Sequence, residues 1–270
     1  MLQSVFTGAS ALKTFSKGME VIGNNVANVN SLGFKGQRAE YTDSFYNTFL
    51  KADNSETSGA PGHQIGSGVK LGNISGKFTQ GSIQQTGVDT DLAIYGDGFF
   101  QVRDPEAADD ADATLFTRAG NFNWDSQGRF VTSEGFIVQG DKGDLQIEDL
   151  TKVESFRFEN DGTLRMLMED GTEQLQQVFL TNFNVPGKLI REGGGYFSNK
   201  GDLGAQIDDG LVPPTTAGTG EIKPYSLELS NVDLTGEFSS IIANQRSFQA
   251  GARIVTVSDA MYGEAVNLKR

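Results

Sequence analysis

Cysteine is absent from all 270 residues, which excludes a disulfide framework, a thiolate metal site and any chemistry that runs through thiols. The single histidine, His63, lies in a Gly- and Ser-rich stretch, so there is no second His for a zinc site and no choice of base for a Ser/His/Asp arrangement. Basic residues are few: 22 Lys and Arg stand against 35 Asp and Glu, for a net charge of −13. With no basic stripe to neutralise phosphates, nucleic acid is excluded as a partner. Long apolar runs are missing as well. Nowhere do about eighteen apolar residues follow one another, and no basic segment leads into an apolar one at the N-terminus. Neither membrane insertion nor a cleavable signal peptide is therefore expected. Gly66 to Gly72 looks like a phosphate loop but lacks both the Gly-x-Gly-x-x-Gly spacing and a Gly-Lys-Ser/Thr end. Paired carboxylates leave a glycoside-type hydrolase as the one enzymatic reading; no catalytic, metal or cofactor-binding residue is assigned, and no cofactor is expected.

What is present is periodicity at the two ends. Leu2, Val5, Ala9, Leu12, Phe15, Met19, Ile22 and Val26 fall in steps of three and four, the stripe of an amphipathic helix. It stops at Gly23 to Lys35, where Asn28, Asn30 and Gly33 suit the turn conformations that close a helix and Phe34 is placed to fold back onto the last turn. At the other end Asp233 is a plausible N-cap. Leu234, Phe238, Ile241, Phe248, Ala252, Val255, Tyr262 and Val266 follow at alternating four-three steps, with Gln245 and Asp259 as polar exceptions. Ile254, Val257, Met261, Ala265 and Leu268 form a second stripe. At 1.5 Å per residue these helices are about 40 Å and about 50 Å long. Such stripes are ordinarily the core of one monomer, but these helices exceed what a small domain needs, and the second is apolar on two faces, which leaves surface for neighbouring subunits.

Between them the period becomes that of strands. Leu92–Tyr95 and Phe99–Val102 read as a hairpin around Gly96-Asp97-Gly98, and further short strands are expected at 115–118, 121–124, 129–132, 136–139, 153–158, 163–168, 174–183 and 196–198. The 34 glycines fit so turn-dense an antiparallel domain. Arg38 to Leu50 has a weak helical spacing through Tyr41, Phe45, Tyr46 and Phe49, and Lys51 to Val69 reads as a loop. Gly201 to Gly220 reads as a return loop. Asp104 to Ala113 carries four Asp and one Glu, without the alternation and Gly of a Ca²⁺ loop, and is expected to be a solvated hairpin loop.

The charge follows this division. Residues 1–32 sum to +1 and residues 230–270 to zero, so the middle holds −14. Near-neutral ends suit close packing of many copies, and an acidic middle suits a solvated surface. The expected fold is α+β: paired long terminal helices, coiled-coil-like, with a mainly antiparallel β domain inserted between them. The expected domains are a helical core of 1–32 and 230–270, a connecting segment of 33–75, and a β-rich outer domain of 76–229.

Three stretches carry a resemblance: Gly23-Asn-Asn-Val-Ala-Asn-Val-Asn-Ser-Leu-Gly-Phe-Lys35; Thr90 to Phe100; and Ser230-Asn-Val-Asp-Leu234 with Ile242 to Gln249 and Val266 to Arg270. Together they resemble the bacterial flagellar rod and hook axial proteins, over both termini and the first half of the middle. The resemblance implies a non-enzymatic subunit that assembles with itself into a helical tube. It implies rod, hook-cap and hook-filament junction proteins as partners, and export by the flagellar type III apparatus to an extracellular hook or basal body. Compact length and the matches at Phe238 to Gln249 and Val266 to Arg270 point to the hook, the flexible joint that passes torque to the filament. The distal rod subunit is the alternative, and an acidic Ca²⁺-dependent surface adhesin is the reading from another class. The residues expected at assembly contacts are Leu2, Val5, Leu12, Met19, Ile22, Asn24, Asn25, Val26, Asn28 and Phe34 near the N-terminus. Near the C-terminus they are Leu234, Phe238, Ile241, Gln245, Arg246, Phe248, Val255, Met261 and Leu268, with Asn24 and Arg246 expected in the packing between helices.

Overall fold

The computed structural model describes residues 2–50, 63–105, 114–141, 143–147, 152–199, 207–215 and 218–268. The chain divides into a helical unit, Met1–Ala27, Gln37–Gly76 and Asp233–Arg270, and a β unit, Asn28–Gly36 and Lys77–Val232.

In the helical unit, α1 spans Leu2–Ala27 and α2 spans Leu234–Asn267. Asp233 caps α2: its carboxylate accepts from the Thr235 and Gly236 amides, and Glu237 adds a favourable charge in the first turn. The helices run antiparallel, because Gly8 lies against Gly251 and Val255 while Asn25 reaches Glu237. A long hairpin completes the unit. β1 (Gln37–Asp43) pairs with β4 (Val69–Gly76), and β2 (Tyr46–Leu50) with β3 (His63–Gly66), all antiparallel. It packs on α1 through Phe15 and Tyr41, whose rings meet edge-on at 5.6 Å, and through the Thr14 hydroxyl, which donates to the Val69 carbonyl at 3.2 Å.

This hairpin corrects the helical expectation for 38–50, and it occupies much of the 33–75 stretch expected as a connector. Aromatic and Thr residues favour a half-buried strand, and 63–76 supplies a ladder that no local pattern reveals. Residues 51–62 and 106–113, the greater part of the expected loop and of the acidic Asp104–Ala113 stretch, lie outside the described residues.

The β unit holds β5 (Ile83–Gln85), β6 (Leu92–Tyr95), β7 (Phe99–Arg103), β8 (Thr114–Thr117), β9 (Phe122–Trp124), β10 (Phe130–Thr132), β11 (Ile137–Gly140) and β12 (Gly143–Asp144). It continues through β13 (Val153–Phe158), β14 (Thr163–Met168), β15 (Glu173–Gln177), β16 (Leu180–Phe183), β17 (Ile190–Gly193), β18 (Tyr196–Ser198), β19 (Ile207–Val212), β20 (Glu221–Pro224) and β21 (Ser226–Glu228). The main sheet runs β17-β18-β8-β7-β11-β10-β9, with β16 also on β7 and β19 on β16, and β13-β14-β15 form a second sheet. All of these pairings are antiparallel. Phe100, Phe122, Phe130, Leu164 and Met166 are central to one core, and Phe99, Phe116, Phe183 and Phe197 form another.

Two expectations change here. β6 and β7 are not a hairpin. Both are buried and need ladders, but β6 finds its partner in β20 and β7 in β8, β11 and β16. Gly96 and Gly98, with φ of 113° and 127°, turn the chain from one sheet to the other. The return loop of 201–220 contains β19, which pairs with β16 from Phe183↔Ile207 to Leu180↔Val212.

Candidate functional site

Two places in the fold hold the terminal signature residues: the faces of the paired helices, and a buried charge cluster in the β unit that holds the end of the N-terminal signature.

On α2 the buried residues are Asn244, Gly251 and Ser258, spaced by seven. Half-buried Ile241, Phe248 and Val255 lie beside them and complete a four-three seam. The seam is therefore rotated from the expected apolar stripe, sharing with it Ile241, Phe248 and Val255 and replacing Gln245, Ala252 and Asp259 by small or polar neighbours. The physical reason is close approach. At Gly8 a Cβ would stand 2.8 Å from Val255 Cγ2 and 3.2 Å from the Gly251 carbonyl oxygen. Only small residues admit such a crossing, and an apolar-stripe argument passes over them. Two asparagines in the seam are hydrogen-bonded: Asn25 exchanges hydrogen bonds with Gln37, at 2.7 Å to its carbonyl and 2.8 Å from its amide, and donates to Glu237 at 3.0 Å. Tyr41 donates to Asn244 at 3.3 Å.

The expected contact residues fall on different sides of this seam. Ile22 and Asn25 are buried, while Val5, Leu12, Met19, Val26, Ile241, Phe248 and Val255 are half-buried. Leu2 belongs to α1, but its side chain is outside the description. Asn24 and Arg246, expected between the helices, are exposed; Asn25 and Asn244 occupy that place instead. Leu234, Phe238, Gln245, Met261 and Leu268 are exposed as well, with Ile242, Ile254, Val257, Tyr262 and Val266. A groove of about 610 Å³ along α2, lined by Ser4, Arg246, Gln249, Arg253, Ile254 and Met261 among others, opens on that side. Of the exposed residues, Ile254, Val257, Met261 and Leu268 recur at steps of three, four and seven and share one stripe of α2, and an exposed apolar stripe of this kind marks a contact surface.

Asn28 and Phe34 belong to the β unit. The Arg191 guanidinium lies over the Phe34 ring at 5.5 Å and over Phe197 at 5.3 Å, and donates to the Lys35 carbonyl at 2.6 Å. Lys35 is only 1% exposed. Its ammonium donates to Glu228 Oε1 at 2.7 Å and to the Thr79 carbonyl at 3.1 Å. Arg118 Nη1 reaches Glu228 Oε2 at 3.3 Å, Nη2 reaches the Gly96 carbonyl at 2.8 Å, and Nε is buried without a hydrogen-bond partner. The Gly81 amide also donates to Glu228 Oε1, at 2.8 Å. Two buried cations thus share one carboxylate. In the sequence Lys35 is only the end of the Gly23–Lys35 motif, and no local signal connects it to residues 83 and 193 positions away.

Burial pushes the Lys35 amine below its ordinary 10.5, the Arg118 charge pushes it further, and Glu228 opposes both. Lys35 therefore binds its proton less tightly folded than unfolded. Between the lowered folded value and 10.5 the unfolded chain holds more protons, so stability rises with pH there. Below that interval the cost of the buried ammonium is present in full, and above 10.5 it is gone. Relative to Lys35→Met, the wild-type chain is expected to gain stability as pH is raised towards 10.5, by at most about 1.4 kcal/mol per pH unit. Urea unfolding of both proteins across that range reads the difference, and a flat difference contradicts a charged, desolvated Lys35.

Among the described residues no group of His, Cys, Asp or Glu is placed to hold a metal ion, and no helix is long and apolar enough to cross a membrane. Three family models match: "Flagella basal body rod protein" over 7–35, "Flagellar hook protein FlgE/F/G D1 domain" over 93–166, and "Flagellar basal body rod FlgEFG protein C-terminal" over 223–268. The chain is 37% identical to the flagellar basal-body rod protein FlgG of Bacillus subtilis, over the whole of both chains. It is 33% identical to that of Caulobacter vibrioides over 96% of this chain and 97% of the relative. The flagellar hook protein FlgE of Helicobacter mustelae is 37% identical over 70% of this chain, but over only 42% of its own length. These end-to-end matches overturn the expectation of a hook subunit. The terminal motifs chosen to favour the hook are shared by rod proteins, and compact length, which was read as a small hook protein, is the ordinary length of the rod relatives.

Proposed function

We propose, for a chain that belongs to the flagellar basal-body rod and hook protein family, that it is a rod subunit which assembles with copies of itself into a helical tube. It is a structural component of the bacterial flagellum and not an enzyme. The observation that carries the rod assignment is the correspondence over full length with rod proteins, against partial coverage of a longer hook protein. Its partners in this reading are further copies and the neighbouring axial proteins of the basal body, reached by the flagellar export route.

Assembly is supported by the exposed apolar stripe of α2 through Ile254, Val257 and Met261. The helix pair satisfies its own seam with Gly8, Asn25, Asn244, Gly251 and Ser258, and leaves Phe238, Ile254, Val257, Met261 and Tyr262 to solvent. Contacts between unlike patches that do not close into a ring propagate as a filament, which is the geometry a tube requires. The predicted contact residues with exposed side chains are then candidates for contacts between copies, while Ile22 and Asn25 serve the subunit's own packing.

Electron microscopy of the concentrated or salt-treated protein tests this. Straight, rigid tubes are expected from the unmodified chain, and none from the double variant Ile254→Glu/Met261→Glu, which puts two charges on the face to be covered. Each charge is expected to cost about 2 kcal/mol or more per copy when buried unpaired. Curved, flexible tubes would overturn the rod assignment, and tubes from the double variant would remove α2 from the contact.

A further inference from the structure

The chain passes between its two units at 27/28, 36/37, 76/77 and 232/233. Within the β unit, residues beside the last three of these passages are gathered on one side chain. Asn231 accepts from the Gly36 amide at 2.8 Å through Oδ1, and its Nδ2 donates to the Lys77 carbonyl at 2.7 Å and the Thr79 carbonyl at 2.9 Å. Its own amide donates to the Phe34 carbonyl at 3.3 Å. Next to it, the Lys77 amide donates to the Gly36 carbonyl at 2.8 Å, and the Leu229 amide to the Ser82 carbonyl at 2.8 Å. Within the Ser230-Asn231-Val232-Asp233 motif, Asp233 caps α2, and Asn231 makes these contacts instead.

We propose that Asn231 is a positioning residue that ties the β-unit ends of three chain passages into one mechanical unit. The chemistry is specific to a carboxamide. It supplies two donors and an acceptor on one short stem, and here both donors face carbonyls while the acceptor faces an amide. Asp at this position keeps the acceptor but sets a carboxylate against two carbonyl oxygens; Ala removes all the side-chain bonds. Glu228, three residues earlier, reinforces the tie by accepting from Lys35 and Gly81, so 33–36, 77–81 and 228–231 open or close together. A load on one passage is then shared by three covalent chains, which is the behaviour a subunit under torque requires. That meaning rests on the rod reading, but the coupling is a property of the single chain and is tested there.

Hydrogen exchange on the full chain, read at Gly36, Lys77, Gly81 and Leu229, tests the tie in the wild type, Asn231→Ala, Asn231→Asp and Tyr196→Phe. The last removes a buried hydrogen bond to Thr132 elsewhere in the β unit and controls for general weakening. Asn231→Ala is expected to accelerate all four amides together by about tenfold or more, leaving the slowest amides of β14 unchanged, and Tyr196→Phe is expected to move none of the four. Acceleration at Gly36 alone would reduce Asn231 to a local hydrogen bond and overturn the proposal. Equal acceleration throughout the β unit would make it a general stabiliser and overturn it as well. If Asn231→Ala does not fold, Asn231→Asp decides: faster exchange at all four amides together supports the tie, and acceleration confined to one segment, or none, overturns it.

Discussion

Glu228→Gln is expected to lower the unfolding free energy of the β unit by about 3–5 kcal/mol. The carboxylate is the ion-pair partner of both Lys35 and Arg118, with side chains 0%, 1% and 4% exposed respectively, and the neutral amide leaves the two buried cations with the charge of Asp97 alone to oppose theirs. The Gly81 amide still finds an acceptor, so the loss is electrostatic rather than steric. Trp124, the chain's one tryptophan, packs on Phe130 and Phe156, and its fluorescence reports this unit during urea unfolding. Lys35→Met/Glu228→Gln removes one of the stranded cations and is expected to be more stable than Glu228→Gln alone. A double variant no better than the single one would show that the charge balance is not what holds the cluster.

Gly33→Ala is expected to cost about 2–4 kcal/mol for two reasons that add. The residue has φ of +62°, a left-handed conformation, and an added Cβ would stand 2.6 Å from both the Ala119 nitrogen and the Arg118 carbonyl carbon. Relaxation is blocked, because the Gly33 amide is held by the Glu228 carbonyl at 2.8 Å. Gly87→Ala provides the comparison. Its φ of +75° is equally unfavourable, but nothing lies near its Cβ, so about 1–2 kcal/mol is expected. Equal losses in thermal or urea unfolding would mean that the close approach to 118–119 is unimportant.

Both variants act where sequence reading saw only a helix exit. Asn28 to Lys35 was legible as a stop signal, since Asn and Gly end an apolar stripe, and its membership of the β unit was not. Lys35 meets Glu228 across 193 positions, and a pairing at that separation leaves no periodic trace. The same limit appears in the strands. Most of their positions were readable from turn residues and alternation, yet β6 finds β20 rather than β7, because a glycine turn specifies where a strand ends and not which edge it joins. In the helices, hydrophobicity located the elements and misjudged the seam by one position, since the closest contact is made by Gly8 and Gly251, which have no side chain to count.

The sequence by itself determined the two terminal helices, the antiparallel β insertion and the family, because each rests on local period, turn chemistry or contiguous motifs. It also carried the rod reading, but as the alternative: the terminal motifs are common to rod and hook, and the relatives' full length separated them. Tertiary structure decided which face of α2 is satisfied within the chain, that 37–50 and 63–76 pair as strands, that Lys35, Arg118 and Glu228 meet, and that Asn231 reaches Gly36, Lys77 and Thr79. These depend on long-range packing, where burial makes a charge or a missing Cβ decisive, and burial is a property of the folded chain.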